Sequence, residues 1–172
     1  MKGGLIYVVL GFVFGVLTYF FLSGSLSPPM ITAVFSPENG NEIIDLIDSA
    51  QTSLDIEMYV FTSRDVIEAL DRAKARGVEI RIIIERNVLS GQNDETYREL
   101  AAKGFNIRYA SIAYKLTHAK FMILDGKSVL VGSHNLSNSA LYENREASVI
   151  IRDPVTIAKF IEIFEKDWSI AS

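Results

Sequence analysis

Polar positions are missing from the start of the chain: Leu5 to Leu22 (LIYVVLGFVFGVLTYFFL) carries no charged residue. As a helix such a run reaches about 27 Å at 1.5 Å per residue, close to a hydrocarbon core of about 30 Å. Its length predicts a membrane-spanning anchor. A cleaved signal peptide is the alternative, because Ser23-Gly24-Ser25 offers small residues to a peptidase. A buried core helix is disfavoured, since no polar face interrupts the run. Lys2 precedes the segment and the next basic residue is Arg64, which favours an N-terminus-in orientation with the remainder extracytoplasmic, or secreted if the segment is cleaved. Residues 1–25 are read as anchor or signal peptide, and 26–172 as one folded domain.

After a Ser/Gly/Pro-rich linker (Ser23–Pro29), the pattern alternates between short β-branched runs and amphipathic stretches. Strands are expected at Ile31–Phe35, Leu54–Phe61, Val78–Ile84, Asn106–Ala110, Ala119–Leu124, Ser128–Val131 and Ala147–Ile151. Helices are expected at Glu42–Ala50, Arg64–Arg76, Asp94–Lys103 and from Pro154 to about Trp168. Asn39-Gly40 reads as a turn, Thr62 or Ser63 as a helix cap, and Gly77 and Gly104 as helix stops. Val78–Ile84 (VEIRIII) is apolar enough to be buried on both faces. Asp125-Gly126 between two strands is a hairpin turn signal. Alternating strands and helices predict the α/β class, a mixed sheet flanked by helices on both faces.

The 172 residues, 49% hydrophobic and 22% charged, suffice for one ordinary core. With no cysteine, disulfides, thiolate metal sites and a cysteine nucleophile are excluded. The net charge is −4, so no global attraction for polyanions exists. The charges are nonetheless unevenly placed. Glu38 to Glu68 holds eight acids and only Arg64, whereas basic residues outnumber acids between Arg72 and Lys127. A local basic face and a set of ordinary solvated surfaces both fit this distribution.

One constellation goes beyond patterning: His118-Ala119-Lys120, four residues, Asp125, six residues, then Gly132-Ser133-His134-Asn135. On a strand, His118 and Lys120 share a face while Ala119 points away, so an imidazole and a cation converge. Lys120 offers a compact positive charge to a phosphate oxygen, Asn135 a neutral donor, and Ser133 a hydroxyl, with Gly132 permitting close approach. The spacing resembles the phospholipase D superfamily signature, His-x-Lys-x4-Asp-x6-Gly-Ser-x-Asn, at every fixed position. Six such positions match by chance on the order of once in 10⁷ to 10⁸ starting points.

That resemblance implies the phospholipase D-like fold and a catalytic set of His118, Lys120, Asp125 and Glu146, with Lys120, Ser133 and Asn135 holding the substrate phosphate. His118 would attack phosphorus to give a phosphohistidine, and a second histidine would protonate the leaving oxygen and then activate water. Glu146 would accept from the other ring nitrogen of the histidine. Asp125 would hold the site together rather than touch phosphate. Larger members carry the motif twice; this chain carries it once. The resemblance to small single-motif members therefore implies a homodimer with the active site at its twofold interface. Two imidazoles at one phosphate, one neutral and one protonated, would titrate as a pair and give a bell-shaped pH profile.

His134, at the variable motif position, is not expected to be the second acid. A metal set of His118, Asp125 and His134 fits no familiar ligand spacing, so neither metal nor cofactor is expected. Glu57, Tyr59 and Phe61 could line a pocket, though alternation in a sheet accounts for the aromatics. Lys115 and Arg145 could steer an anion or be plain surface residues. The activity implied is phosphodiester hydrolysis, most simply by an endonuclease acting on DNA or RNA. A phospholipase D or cardiolipin hydrolase acting on membrane phospholipid is the close alternative, and a silent phosphate-binding module the third.

Overall fold

The computed structural model describes residues 2–24, 29–88 and 91–172, without the side chains of 2, 3, 5, 6, 9 and 20–24. The N-terminal apolar run forms one helix, α1 (Lys2–Gly24), and the expected linker falls mostly on residues 25–28, outside the described residues. Among the described residues no helix is long and apolar enough to cross a membrane, so the spanning anchor expected from Leu5–Leu22 is not supported. Several of that run's side chains lie outside the described residues, as does the Lys2 side chain on which its orientation rested.

The remainder is a mixed sheet of β1 (Ile31–Ser36), β2 (Ser53–Met58), β3 (Glu79–Ile84), β4 (Asn106–Tyr109), β5 (Lys120–Leu124), β6 (Ser128–Gly132) and β7 (Glu146–Ile151). Their order is β1-β7-β6-β5-β2-β3-β4. β2, β3 and β4 run parallel, and the other neighbours pair antiparallel. The helices are α2 (Asn41–Ser49), α3 (Arg64–Ala75), α4 (Gln92–Ala102), α5 (Asn138–Tyr142) and α6 (Pro154–Ile170).

The sheet separates two apolar layers. One, including Ile43, Ile47, Val66, Leu70, Ile56, Ile82 and Leu100, packs α2, α3 and α4 against one face. The other, with Ile83, Phe121, Ile123, Val129, Ile157 and Phe164, packs α6 against the opposite face. β3 feeds both layers through Ile82 and Ile83, as its unbroken apolar character requires. Gly77 and Gly104 end α3 and α4 at positive φ. Ser63 occupies the cap position of α3, but its hydroxyl makes no capping bond. Asp153 caps α6, accepting from Thr156 N at 2.7 Å, with Pro154 in the first turn.

Candidate active site

The central pairing of β2 with β5 brings together residues far apart in sequence. Lys120 lies opposite Met58, and just beyond the strand ends Tyr59 N donates to Ala119 O at 2.9 Å. Lys120 Nζ sits 3.2 Å from Nε2 and 3.3 Å from Nδ1 of His118, and donates to His118 O at 3.2 Å. An ammonium has donors only, so it bonds a ring nitrogen that carries no proton. The Tyr59 ring meets His118 edge-on with centroids 4.4 Å apart, and lies 5.1 Å from Lys120 Nζ. His118 itself is exposed. Burial pushes the Lys120 pKa down, while the Glu146 carboxylate acts in the opposite direction.

The return strand delivers the rest. A Cβ on Gly132 would lie 2.3 Å from Ser148 Oγ and 2.4 Å from Ala147 O, so only glycine lets β6 close on β7 here. Ser133 N donates to Ala147 O at 2.9 Å, and Ser133 Oγ accepts from Ala147 N at 3.0 Å while donating to Glu146. Asn144 Nδ2 also donates to Glu146, at 3.2 Å. Glu146 is thus held by Ser133 and Asn144; among the described residues no hydrogen bond joins it to His118. Asn135 Oδ1 accepts from Val60 N at 3.3 Å, so its Nδ2 keeps its own donors.

Asp125 is not brought to His118. It lies at the opposite end of β5, about 17 Å along the strand from Lys120 at about 3.4 Å per residue. There its carboxylate accepts from the backbone N–H groups of Gln51, Thr52 and Ser53 at 2.7–3.1 Å and from the Thr52 hydroxyl at 2.9 Å. Partial burial raises its pKa, but these backbone donors outweigh burial and hold it below the usual carboxylate value. His134 points into the protein, 3% exposed, with Nδ1 2.7 Å from Ser148 Oγ. Burial pushes its pKa down, against the pull of Glu146. His118, Asp125 and His134 therefore form no common cluster. Arg145 is engaged by Glu38 at 2.6 and 2.7 Å, Lys115 is exposed, and Phe61 is fully buried in the core.

Two buried polar residues complete the frame and escaped sequence reasoning. Asn93 Oδ1 accepts from Phe61 N at 2.8 Å, and its Nδ2 donates to Tyr59 O at 2.7 Å and Glu85 O at 2.8 Å. The Glu85 carboxylate accepts from Thr117 N and Asn87 N, both at 2.7 Å. Together they fix the backbone that carries Tyr59 and the residue preceding His118. A cleft of about 500 Å³ opens beside Asn135, lined by Val60, Thr62, Gln92, Ser137, Asn138 and Ser139, amides and hydroxyls with no charge.

The chain that carries this His118–Lys120 contact matches a known family in both sequence and fold. The family described as cardiolipin synthase, PLD-like domain, matches residues 43–168. The chain belongs to it. A solved phospholipase D family member, Nuc from Salmonella typhimurium, superposes on this PLD-like domain with a TM-score of 0.78 and 30% identity, over 84% of this chain and 97% of that one. The mitochondrial cardiolipin hydrolase of Chlamydomonas reinhardtii is 30% identical over 77% of this chain and 59% of its own length. The phospholipase D of Rickettsia prowazekii is 28% identical over 88% of this chain and 72% of its own. The PLD-like chain thus spans less than two thirds of the cardiolipin hydrolase it matches.

Proposed function

We propose that this PLD-like domain hydrolyses phosphodiester bonds with His118 as nucleophile, and that nucleic acid is its substrate. A neutral ring nitrogen of His118 attacks phosphorus, the bond to the leaving oxygen breaks, and that oxygen takes a proton from a second imidazole. The same imidazole then deprotonates water, which attacks the phosphohistidine and frees His118. Lys120 Nζ and Asn135 Nδ2 bear on the non-bridging oxygens, where charge accumulates in the transition state.

The observation that carries this reading is the contact of Lys120 Nζ with the His118 ring beside Tyr59, with Asn135 bonded to the neighbouring Val60. The second imidazole must come from elsewhere: the chain has two histidines, and His134 is buried against Ser148. The partner's own His118, across a twofold axis, supplies it. The uncharged amide and hydroxyl lining of the cleft beside Asn135 suits a sugar or base better than an acyl chain.

Incubating the protein in chelator with labelled DNA, RNA and cardiolipin vesicles tests this. Cleavage of nucleic acid is expected, with a loss of about 10³-fold or more in His118→Ala. Undiminished turnover in that variant overturns the mechanism, and cleavage of cardiolipin alone overturns the substrate. The phospholipid reading draws on α1, which has no polar face and exposes Tyr7, Val8, Leu10, Phe12, Phe14 and Leu17. Exposed apolar area of this kind marks an interaction surface, and that is what the phospholipid reading has in its favour.

A further inference from the structure

A second basic site lies on the edge of the sheet that carries His118. Arg64, Arg72, Arg76, Arg81 and Arg145 each meet a carboxylate. Among the described residues Arg86, Arg98, Arg108 and Arg152 meet none within ion-pair distance; Arg108 donates to Trp168 O and Arg152 to Pro29 O and Thr32 Oγ1, whereas Arg86 and Arg98 are held in place beside one open concavity. The Arg86 guanidinium lies over the Tyr109 ring, 4.2 Å from its centroid, and Tyr97 stacks on Tyr109 at 4.1 Å. Arg98 Nε donates to Asp94 O at 3.0 Å, which leaves its terminal nitrogens free to donate elsewhere. The Asp94 carboxylate accepts from the Tyr109 hydroxyl at 2.9 Å. These four residues line an open concavity of about 390 Å³ with two guanidinium groups against one carboxylate. Side chains fixed before a ligand arrives lose little freedom on binding, and a guanidinium fork suits phosphate oxygens.

Its position gives the site a meaning. β2, β3 and β4 are parallel, β5 runs against β2, and Met58 pairs with both Ile84 and Lys120, so Arg86 and Tyr109 emerge on the edge where His118 sits. With strands about 4.8 Å apart, Arg86 at the end of β3 and Tyr109 at the end of β4 lie two and three strands from β5, or about 10 to 15 Å. A nucleic-acid strand carries one charge per about 3.4 Å of rise. A phosphate at His118 therefore places another, about three or four nucleotides along, over these arginines. A single-phosphate lipid headgroup bound at His118 has no second phosphate to place there. Resting on the nucleic-acid reading above, we propose that Arg86 and Arg98 form a second phosphate-binding subsite that grips the substrate strand away from the scissile bond.

The test uses the full chain and a single-stranded oligodeoxynucleotide of about twelve nucleotides. In the His118→Ala background, which removes turnover, Arg86→Gln with Arg98→Gln should raise Kd about 10-fold. The slope of log affinity against log salt should fall by about 0.7, since one neutralised phosphate contributes about 0.7 on a single strand. Replacing both arginines by lysine should retain most of that slope. With His118 intact, the double glutamine variant should hydrolyse bis(4-nitrophenyl) phosphate, too small to reach the subsite, at the unaltered rate. Unchanged Kd and slope, or an equal loss on the small substrate, overturns the subsite while leaving nuclease activity standing. Failure of the reading beneath it looks different: no oligonucleotide binding at all, alongside hydrolysis of cardiolipin vesicles.

Discussion

Asp125 illustrates how a residue can belong to a catalytic signature without touching the chemistry. Its carboxylate gathers three consecutive backbone N–H groups and the Thr52 hydroxyl, and Asp125 N donates back to Ser53 O at 2.9 Å. The far end of the β5–β6 hairpin is thereby tied to the start of β2, and the register that sets Lys120 against Met58 is fixed from a distance. Asp125 and Gly126 both adopt positive φ in the three-residue turn between the paired Leu124 and Ser128. Asp125→Ala should therefore cost about 2–3 kcal/mol of stability, since it orphans several donors, and leave kcat within about threefold. Denaturant titration beside turnover checks this; a collapse of kcat at unaltered stability would place Asp125 in the chemistry instead. Because the folded-state pKa is depressed, the contribution is present above the unfolded carboxyl value and is lost as pH falls through the folded one. The gap between wild type and variant should accordingly close in acid.

Between β2 and α6 the packing of one element on another holds a carboxyl in an adverse setting. Glu57 is 3% exposed, its side chain lies among Ile83 and Phe121, and Oε2 has no partner. Burial, and secondarily the charge of Asp167 on α6, push its pKa from the usual 4.5 up to about 7. Below the lower value both states are protonated and nothing is lost. Above it the unfolded chain ionises while the folded one resists, so stability falls through that window by about 3 kcal/mol and then levels off. Glu57→Gln should match wild type near pH 4 and exceed it near pH 8 in unfolding midpoint; equal stability at both would mean that Glu57 ionises freely. None of this was legible in the sequence, because it depends on which strands are neighbours. The periodicity did identify every strand to within about three residues at its ends, and β3 as buried on both faces. It missed α5, whose five residues are too short to show a helical period, although Ser137 caps it. Nor does sequence order reveal that β1 pairs with β7, or that β2 lies between β5 and β3. The spacing of His118, Lys120 and Asn135 was readable because a single hairpin sets it. Tyr59, read from the sequence as a possible pocket residue, meets His118 across elements, and Asn93 behind Tyr59 carried no signal of its own.

At the scale of the whole molecule, the mechanism proposed above needs two imidazoles, and one protomer offers a single exposed one. His118 is exposed at the sheet edge, while the chain's other imidazole is shut away against Ser148. If the second proton-transferring imidazole belongs to a partner subunit, both copies of His118 must be intact for the phosphate between them to be cut. Mixing wild type with the His118→Ala chain under conditions that let subunits exchange then yields three dimers, of which only the all-wild-type one is active. At equal amounts this leaves about one quarter of the activity of the same total protein, whereas independent protomers would leave about one half. Activity should follow the square of the wild-type fraction across the series, and a straight line would assign the complete site to a single chain. The same titration with the double Arg86→Gln, Arg98→Gln variant separates the two halves of the reading. A subsite that serves phosphates bound at its own edge of the sheet leaves mixed dimers partly active, and the dependence on wild-type fraction becomes shallower than the square.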